Sequence, residues 1–114
     1  MKYIDIPEAA NAHKEVIKIG DLVTTYNVGI HRVNRIARRI VEESDKHYPL
    51  AGVEITPLIW YKQVITDKGL PATRGADRSC DISYVRPVAA RLKQEREKLA
   101  RVEALVVSLQ KKPG

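Results

Sequence analysis

The sequence predicts a mainly α fold with a small β-hairpin, arranged as a winged helix-turn-helix followed by a long, coiled-coil-like C-terminal helix. Three observations carry that prediction. Residues 20–39, GDLVTTYNVGIHRVNRIARR, show two helical periodicities separated by a three-residue break. Residues 69–86 place a Gly-Ala-Asp-Arg turn between two short polar runs, and residues 87–112 repeat apolar residues in alternating four- and three-residue steps. The division that follows is a winged DNA-binding domain over residues 1–86 and a dimerisation helix over residues 87–114.

The helix-turn-helix comes first in the argument because the other elements are placed around it. Leu22, Val23 and Tyr26 are spaced for the inner face of a first helix, with Asp21 as its N-cap. Asn27 and Gly29 tolerate a left-handed backbone, and Val28 between them plugs the angle between two helices. Ile30, Val33, Ile36, Ala37, Ile40 and Val41 then mark the buried stripe of a second helix. Its opposite face carries His31, Arg32, Asn34, Arg35, Arg38 and Arg39. A face so rich in cations and base-reading side chains is what a helix entering a DNA groove requires, whereas a merely solvated face would mix in acids.

Ahead of this unit, Tyr3, Ile4 and Ile6 suit a short strand before Pro7. Pro7 and Glu8 open a weak helix through Ala9, Ala10 and Ala12. Val16, Ile17 and Ile19 read as a strand or an extended lead-in. After it, residues 42–50 end the basic helix, with Pro49 forbidding continuation and His47 as a favourable charge at the helix end. In residues 51–70, Thr56 as N-cap, Pro57 as first helical residue and Gly69 just past the end make a coherent set of helix punctuation. The run IWYKQVIT pulls the other way, being rich in strand-favouring residues; the punctuation is followed, and a helix is expected.

Thr73 and Arg74 lead into the Gly-Ala-Asp-Arg turn and Ser79 to Asp81 lead out, with Arg74 and Arg78 at the tip. A basic hairpin beside a helix-turn-helix is a wing, and its arginines would meet phosphate or the minor groove. Asp81 caps a turn of helix through Val85. The C-terminal helix opens at Pro87 and is followed by Pro113 and Gly114. Val88, Leu92, Leu99, Val102, Val106 and Leu109 form its seam, with Glu95 at one seam position. A helix of roughly 39 Å is too long for so small a domain to cover, so it pairs with a second copy in a homodimer or higher homo-oligomer.

Composition narrows the function. The 114 residues carry a formal net charge of +6 with a pI near 9.6, which favours an acidic partner. The positive charge concentrates in residues 21–41 and 87–114, while residues 42–50 are acidic. Cys80 stands alone, so neither an internal disulfide nor a cysteine zinc site is expected. No apolar run reaches membrane-spanning length and no signal peptide is evident; a cytoplasmic, nucleoid-associated protein is the expectation. No catalytic set, metal-ligand set, phosphate-cradling glycine loop or cofactor motif is found, so an enzyme is not expected.

Two segments together, LVTTYNVGIHRVNRI and GLPATRGADRSCDISYV, resemble the winged helix-turn-helix of phage lambda-type small terminase subunits. The wider MerR-like group, with phage excisionases and AlpA-type regulators, shares that pattern. The matching points are the Gly69-Leu70-Pro71 step, the Arg74-Gly75 to Arg78 wing and the capping Asp81. The charged helix RLKQEREKLARVEAL is similar to the small terminase's dimerisation helix. In the family the recognition helix runs almost directly into the Gly-Leu-Pro step, whereas here residues 42–69 intervene. Either they are an insertion, or residues 56–68 are the helix before the wing, which would shift DNA reading toward Tyr61, Lys62 and Gln63.

The resemblance implies sequence-specific binding of double-stranded DNA in a phage or mobile element, as a DNA-packaging recognition factor. Transcriptional regulation or excision is the alternative. On this reading Ile30, His31, Arg32, Asn34 and Arg35 enter the major groove, and Arg38, Arg39, Arg74 and Arg78 hold phosphates or the minor groove. A phage packaging or regulatory protein would be a further partner. The rival from another class is a protein-interaction adaptor whose basic surface docks on an acidic protein.

Overall fold

A computed structural model describes residues 1–48 and 50–111. It overturns the expected fold class: the described residues are mainly β, with one long helix near the C-terminal end and no helix-turn-helix among them. The strands are β1 (Lys2–Asp5), β2 (Glu8–Ala10), β3 (Val16–Lys18), β4 (Leu22–Thr24), β5 (Ile30–Ile40), β6 (Glu54–Ile65), β7 (Asp77–Asp81) and β8 (Arg86–Pro87). A 3-10 turn, Ile82–Tyr84, joins β7 to β8, and the helix α1 spans Val88–Gln110. The expectations resting on Pro49, Pro113 and Gly114 lie outside the described residues.

One antiparallel sheet has the order β7-β6-β5-β4-β8. β1 takes the far half of the β5 edge that β4 begins, pairing Asp5 with Ala37 while β4 pairs Leu22 with Arg32. The last strand returns to the first of the meander, Val23 facing Pro87 and Thr24 facing Arg86. A flat sheet would hold β7 and β8 about 19 Å apart. Yet only four residues separate Asp81 from Arg86, three of them in a compact 3-10 turn. The sheet therefore curls until its edges nearly meet, giving a small, partly open barrel.

Curling is how this chain buries its apolar residues, since no helix covers the sheet. Val23, Val33, Ile36, Ile59, Tyr61 and Cys80 point inward from β4 to β7, and Ile82 and Val85 plug the gap between the sheet edges. Ile17 of the separate β2–β3 hairpin completes the cluster, with Ile6 and Ala9 packed against it. Asn11, itself buried, secures that hairpin: its amide donates to the Val85 carbonyl at 2.9 Å, and its side-chain oxygen accepts from the His13 and Glu15 amides. The weak helix expected over residues 7–12 is thus strand β2 and its turn. The expected strand at Tyr3–Ile4 and the extended run at Val16–Ile17 form as β1 and β3.

The expected recognition helix is β5. Bulges fall between Ile30 and His31, Val33 and Arg35, and Ala37 and Arg39. The middle break places its extra residue, Asn34, in β5, while the other two place theirs in β6, so the spacing of the buried set His31, Val33, Ile36 and Ala37 changes after Val33. The expected helix over residues 56–68 is β6. Pro57 sits where it has no ladder hydrogen bond to lose: β7 pairing begins at Leu58, and the β5 register is broken between Ala37 and Arg39. Thr56 caps no helix; its hydroxyl donates to Asp81 and its carbonyl accepts from Arg39. The segments that carried the resemblance to winged helix-turn-helix proteins are therefore strands, and the resemblance does not hold. The wing is not a separate hairpin either, because β7 pairs with β6. Asp81 does cap a turn, accepting from the Ser83 amide at 2.9 Å.

The C-terminal helix forms, but none of its residues is buried and no second helix lies beside it among the described residues, so it is a single helix and not a coiled coil. Val88 and Leu92 border a shallow apolar groove with Gly20 and Leu22 at its root. Leu99, Val102, Val106 and Leu109 are exposed. Among the described residues, no helix is long and apolar enough to cross a membrane.

A forked ion pair ties the β2–β3 hairpin to the barrel: Arg86 Nε and Nη2 lie 3.0 and 2.9 Å from the Glu15 carboxylate oxygens. Both side chains are about four-fifths buried, at 20% and 19% exposure, and Arg86 holds the Glu15 carboxyl down from 4.5 to about 2. A carboxylate with a depressed folded pKa adds stability above its unfolded pKa and loses it as pH falls through the folded value. We expect urea stability to fall from pH 4.5 toward pH 2. Glu15→Gln should lower stability at pH 7 and flatten part of that decline, followed by circular dichroism. An unchanged slope in the variant would contradict the assignment.

Candidate anion-binding cleft

Two loops close on the end of β6 at Gln63. The first, residues 25–29, joins β4 to β5. Gly29 has φ +91°, and a Cβ there would lie 2.3 Å from the Ile65 carbonyl oxygen and 2.5 Å from Gln63 Nε2. Only glycine permits that approach. Gln63 Nε2 donates to the Val28 carbonyl at 2.9 Å, pinning the loop. The second loop, residues 66–76, returns toward β7. A Cβ on Gly75 would stand 3.0 Å from both the Gln63 carbonyl oxygen and Lys62 Cγ, so this loop also lies tight against β6.

Between the loops lies a cleft of about 190 Å³, lined by Asn27, Val28, His31, Gln63, Arg74, Gly75, Ala76 and Arg78. No acidic side chain lines it. Asp77, which separates Ala76 from Arg78, turns to Asn34, whose amide it accepts at 3.2 Å. His31, at 1% exposure, is the one fully buried lining residue and forms the floor. Its ring meets Tyr61 edge-on, with centroids 4.8 Å apart. Nε2 lies 3.2 Å from the Asn27 carbonyl, which can only accept, so Nε2 carries the proton and Nδ1 is left buried without a partner. Tyr61 in turn accepts from the Asn27 amide at 2.6 Å, and burial pushes its phenol above the ordinary value.

The sequence-predicted DNA contacts do not stay together on one surface. His31, Arg74 and Arg78 come together in the cleft. Arg32 lies across from Lys62 on the outer face of the sheet, and neither has an acid within ion-pair distance among the described residues. Asn34 is held by Asp77. The remaining arginines are neutralised. Arg35 pairs with Asp5 at 2.8 Å and lies 4.1 Å over the Trp60 ring, Arg38 forks onto Glu54 at 2.6 and 2.9 Å, and Arg39 reaches Asp81 at 2.8 Å. Ile30 is half-buried in β5, opposite Ile65. The predicted dimerisation residues Val88, Leu92, Leu99, Val102, Val106 and Leu109 all lie on α1, away from the cleft.

Asn27 and Val28 were not expected as site residues, and Gln63 was named only under the alternative in which residues 56–68 form the helix before the wing. The available signal was glycine: Asn27-Val28-Gly29 and Arg74-Gly75 each mark a backbone that must come close to another strand. Tyr26 and Tyr84 add an exposed aromatic pair, with ring centroids 5.4 Å apart, carried by the same first loop and by the 3-10 turn. Cys80 takes no part in chemistry here; burial pushes its thiol up to about 11, leaving it protonated. Among the described residues no cluster of three or more histidine, cysteine, aspartate or glutamate side chains could hold a metal ion. No protein-family model, curated protein or solved structure matches the chain.

The cleft depends on Gly29. Gly29→Ala should cost about 2–4 kcal/mol, combining left-handed backbone strain with a clash against backbone. Gly52→Ala, also at positive φ but facing open space, should cost about 1 kcal/mol. Urea denaturation of the two variants separates clash from strain; equal losses would show that the loop is not held against β6.

Proposed function

We propose that this protein binds single-stranded nucleic acid along the barrel, with Arg32, Lys62, Arg74 and Arg78 facing its phosphates. The observation that carries the reading is a contrast within one sheet. Arg35, Arg38, Arg39 and Arg86 each have a carboxylate partner at 2.9 Å or less, while these four cations have none among the described residues. An unpaired cation on a folded surface is available to an external anion at little desolvation cost, and a row of them suits a polyanion. The net charge of +6 points the same way.

Single strands are favoured over duplex by shape and by stacking. The barrel presents no helix among its strands to lie in a major groove. The exposed Tyr26–Tyr84 pair beside the cleft offers faces on which unpaired bases stack without regard to sequence. α1 has no part in this reading.

Fluorescence anisotropy with labelled single-stranded DNA and RNA of about twenty nucleotides tests it. Four phosphate contacts predict a slope of about −3 in the plot of log affinity against log salt. Arg78→Ala or Lys62→Ala should each soften that slope by about 0.7, whereas Arg38→Ala, removing a cation already paired with Glu54, should leave it nearly unchanged. Salt-independent binding, or an Arg38→Ala effect as large as that of Arg78→Ala, would contradict the proposal.

A further inference from the structure

The phosphates of a nucleic-acid strand differ, and the cleft has the features of a site for one kind. We infer that it is a socket for a terminal phosphate monoester, so that the protein engages strand ends bearing phosphate; this rests on the nucleic-acid reading above. The cleft is bounded by the 25–29 loop on one side and residues 74–76 on the other, with the buried His31 ring beneath, and a strand terminus can enter it without threading a chain between the two loops.

The charge balance distinguishes the same group. An internal phosphodiester carries one negative charge, while a terminal monoester carries about −1.5 to −2 near pH 7 and offers three acceptor oxygens. Two arginines without acid partners, Arg74 and Arg78, border the cleft, and no carboxylate lines it to offset them. Guanidinium forks match the oxygens of a phosphate in pairs. The floor supplies a second, independent sign of a ligand: a buried histidine with one unpartnered nitrogen is costly unless something uses it. The volume of about 190 Å³ accommodates a phosphate and part of its sugar, leaving the adjoining base outside, toward Tyr26.

The experiment compares one oligonucleotide sequence carrying 5′-phosphate, 3′-phosphate or hydroxyl ends, with inorganic phosphate as competitor. Binding of one phosphorylated end should exceed the hydroxyl form by about tenfold or more, the equivalent of a single charge-assisted hydrogen bond. Arg74→Gln should bring that ratio close to one, and Arg38→Gln should preserve it; thermal melting of both variants verifies folding. Millimolar inorganic phosphate should erase the preference while leaving hydroxyl-ended binding in place. Equal affinity for all three ends, with salt-dependent binding intact, would overturn the socket and leave the nucleic-acid reading standing. No binding to any of them would overturn both. A preference that survives Arg74→Gln would also overturn the socket, placing end recognition elsewhere on the molecule.

Discussion

Everything in this molecule follows from a single sheet having no second layer to pack against. An apolar sheet face left in water costs roughly 25 cal/mol for each Å², and here the remedy is to roll the sheet around its own inner face. The long strands β5 and β6 make that possible. Their pairing breaks register three times, once with the extra residue in β5 and twice with it in β6, and bulges bend and twist a strand as they shift it. The remaining gap is stopped by Ile82 and Val85 from the 3-10 turn, and the β2–β3 hairpin lays Ile17 over the cluster. Buried polar groups are accepted where their bonds are met: Asn11 is satisfied by three partners. His31 is the exception, and it is the residue beneath the cleft.

The same closure fixes where charge can lie. Once β1 is paired along β5, Asp5 meets Arg35; once β6 runs beside β5, Glu54 meets Arg38 and Thr56 meets Arg39. The Asp5–Arg35 and Glu54–Arg38 pairs are solvent-exposed and contribute little to stability, whereas Arg39 is largely buried. Their consequence is electrostatic: they silence most of the arginines that the sequence displays in a row. On β5 to β7 the cations without a carboxylate partner among the described residues are Arg32, Lys62 and Arg78, and Arg74 lies on the loop held against β6 by Gly75. Unpaired charge on the barrel is thereby grouped near Gln63, which a count of basic residues along the chain does not single out.

The misreading of residues 30–41 has a specific physical origin. Ile30, Val33, Ile36, Ala37, Ile40 and Val41 repeat at three- and four-residue steps, as on a helix. The one extra residue in β5, Asn34, lengthens the interval between the inward Val33 and Ile36 to three residues, and partly buried Ile30 and Ile40 at the strand ends complete the imitation of a helical stripe. In residues 54–65 the same error has a different cause. The strand-favouring run was visible, but Thr56, Pro57 and Gly69 imitated helix punctuation; in the structure they are a side chain bonded to Asp81, a proline at a break in pairing and a turn glycine at φ +77°. Local signals free of bulges were legible: β1, β3, the cap at Asp81 and the long helix all lie close to where residue pattern put them. Arg74 and Arg78 were recognised as a basic tip, but their partners Asn27 and Gln63 are distant in sequence, and only the closed sheet brings them together.

The central claim, that Arg32, Lys62, Arg74 and Arg78, left unpaired when the barrel folds, form the working surface, is tested most directly by residue-resolved NMR. An unlabelled single-stranded oligonucleotide would be titrated into the ¹⁵N-labelled protein at low salt. The account predicts shifts concentrated at Tyr26, Asn27, Val28, Arg32, Lys62, Gln63 and residues 74–78, with β1, Arg38 and α1 nearly still. Shifts centred on α1 or on the Arg35–Arg38 face, with the cleft residues unmoved, would contradict it.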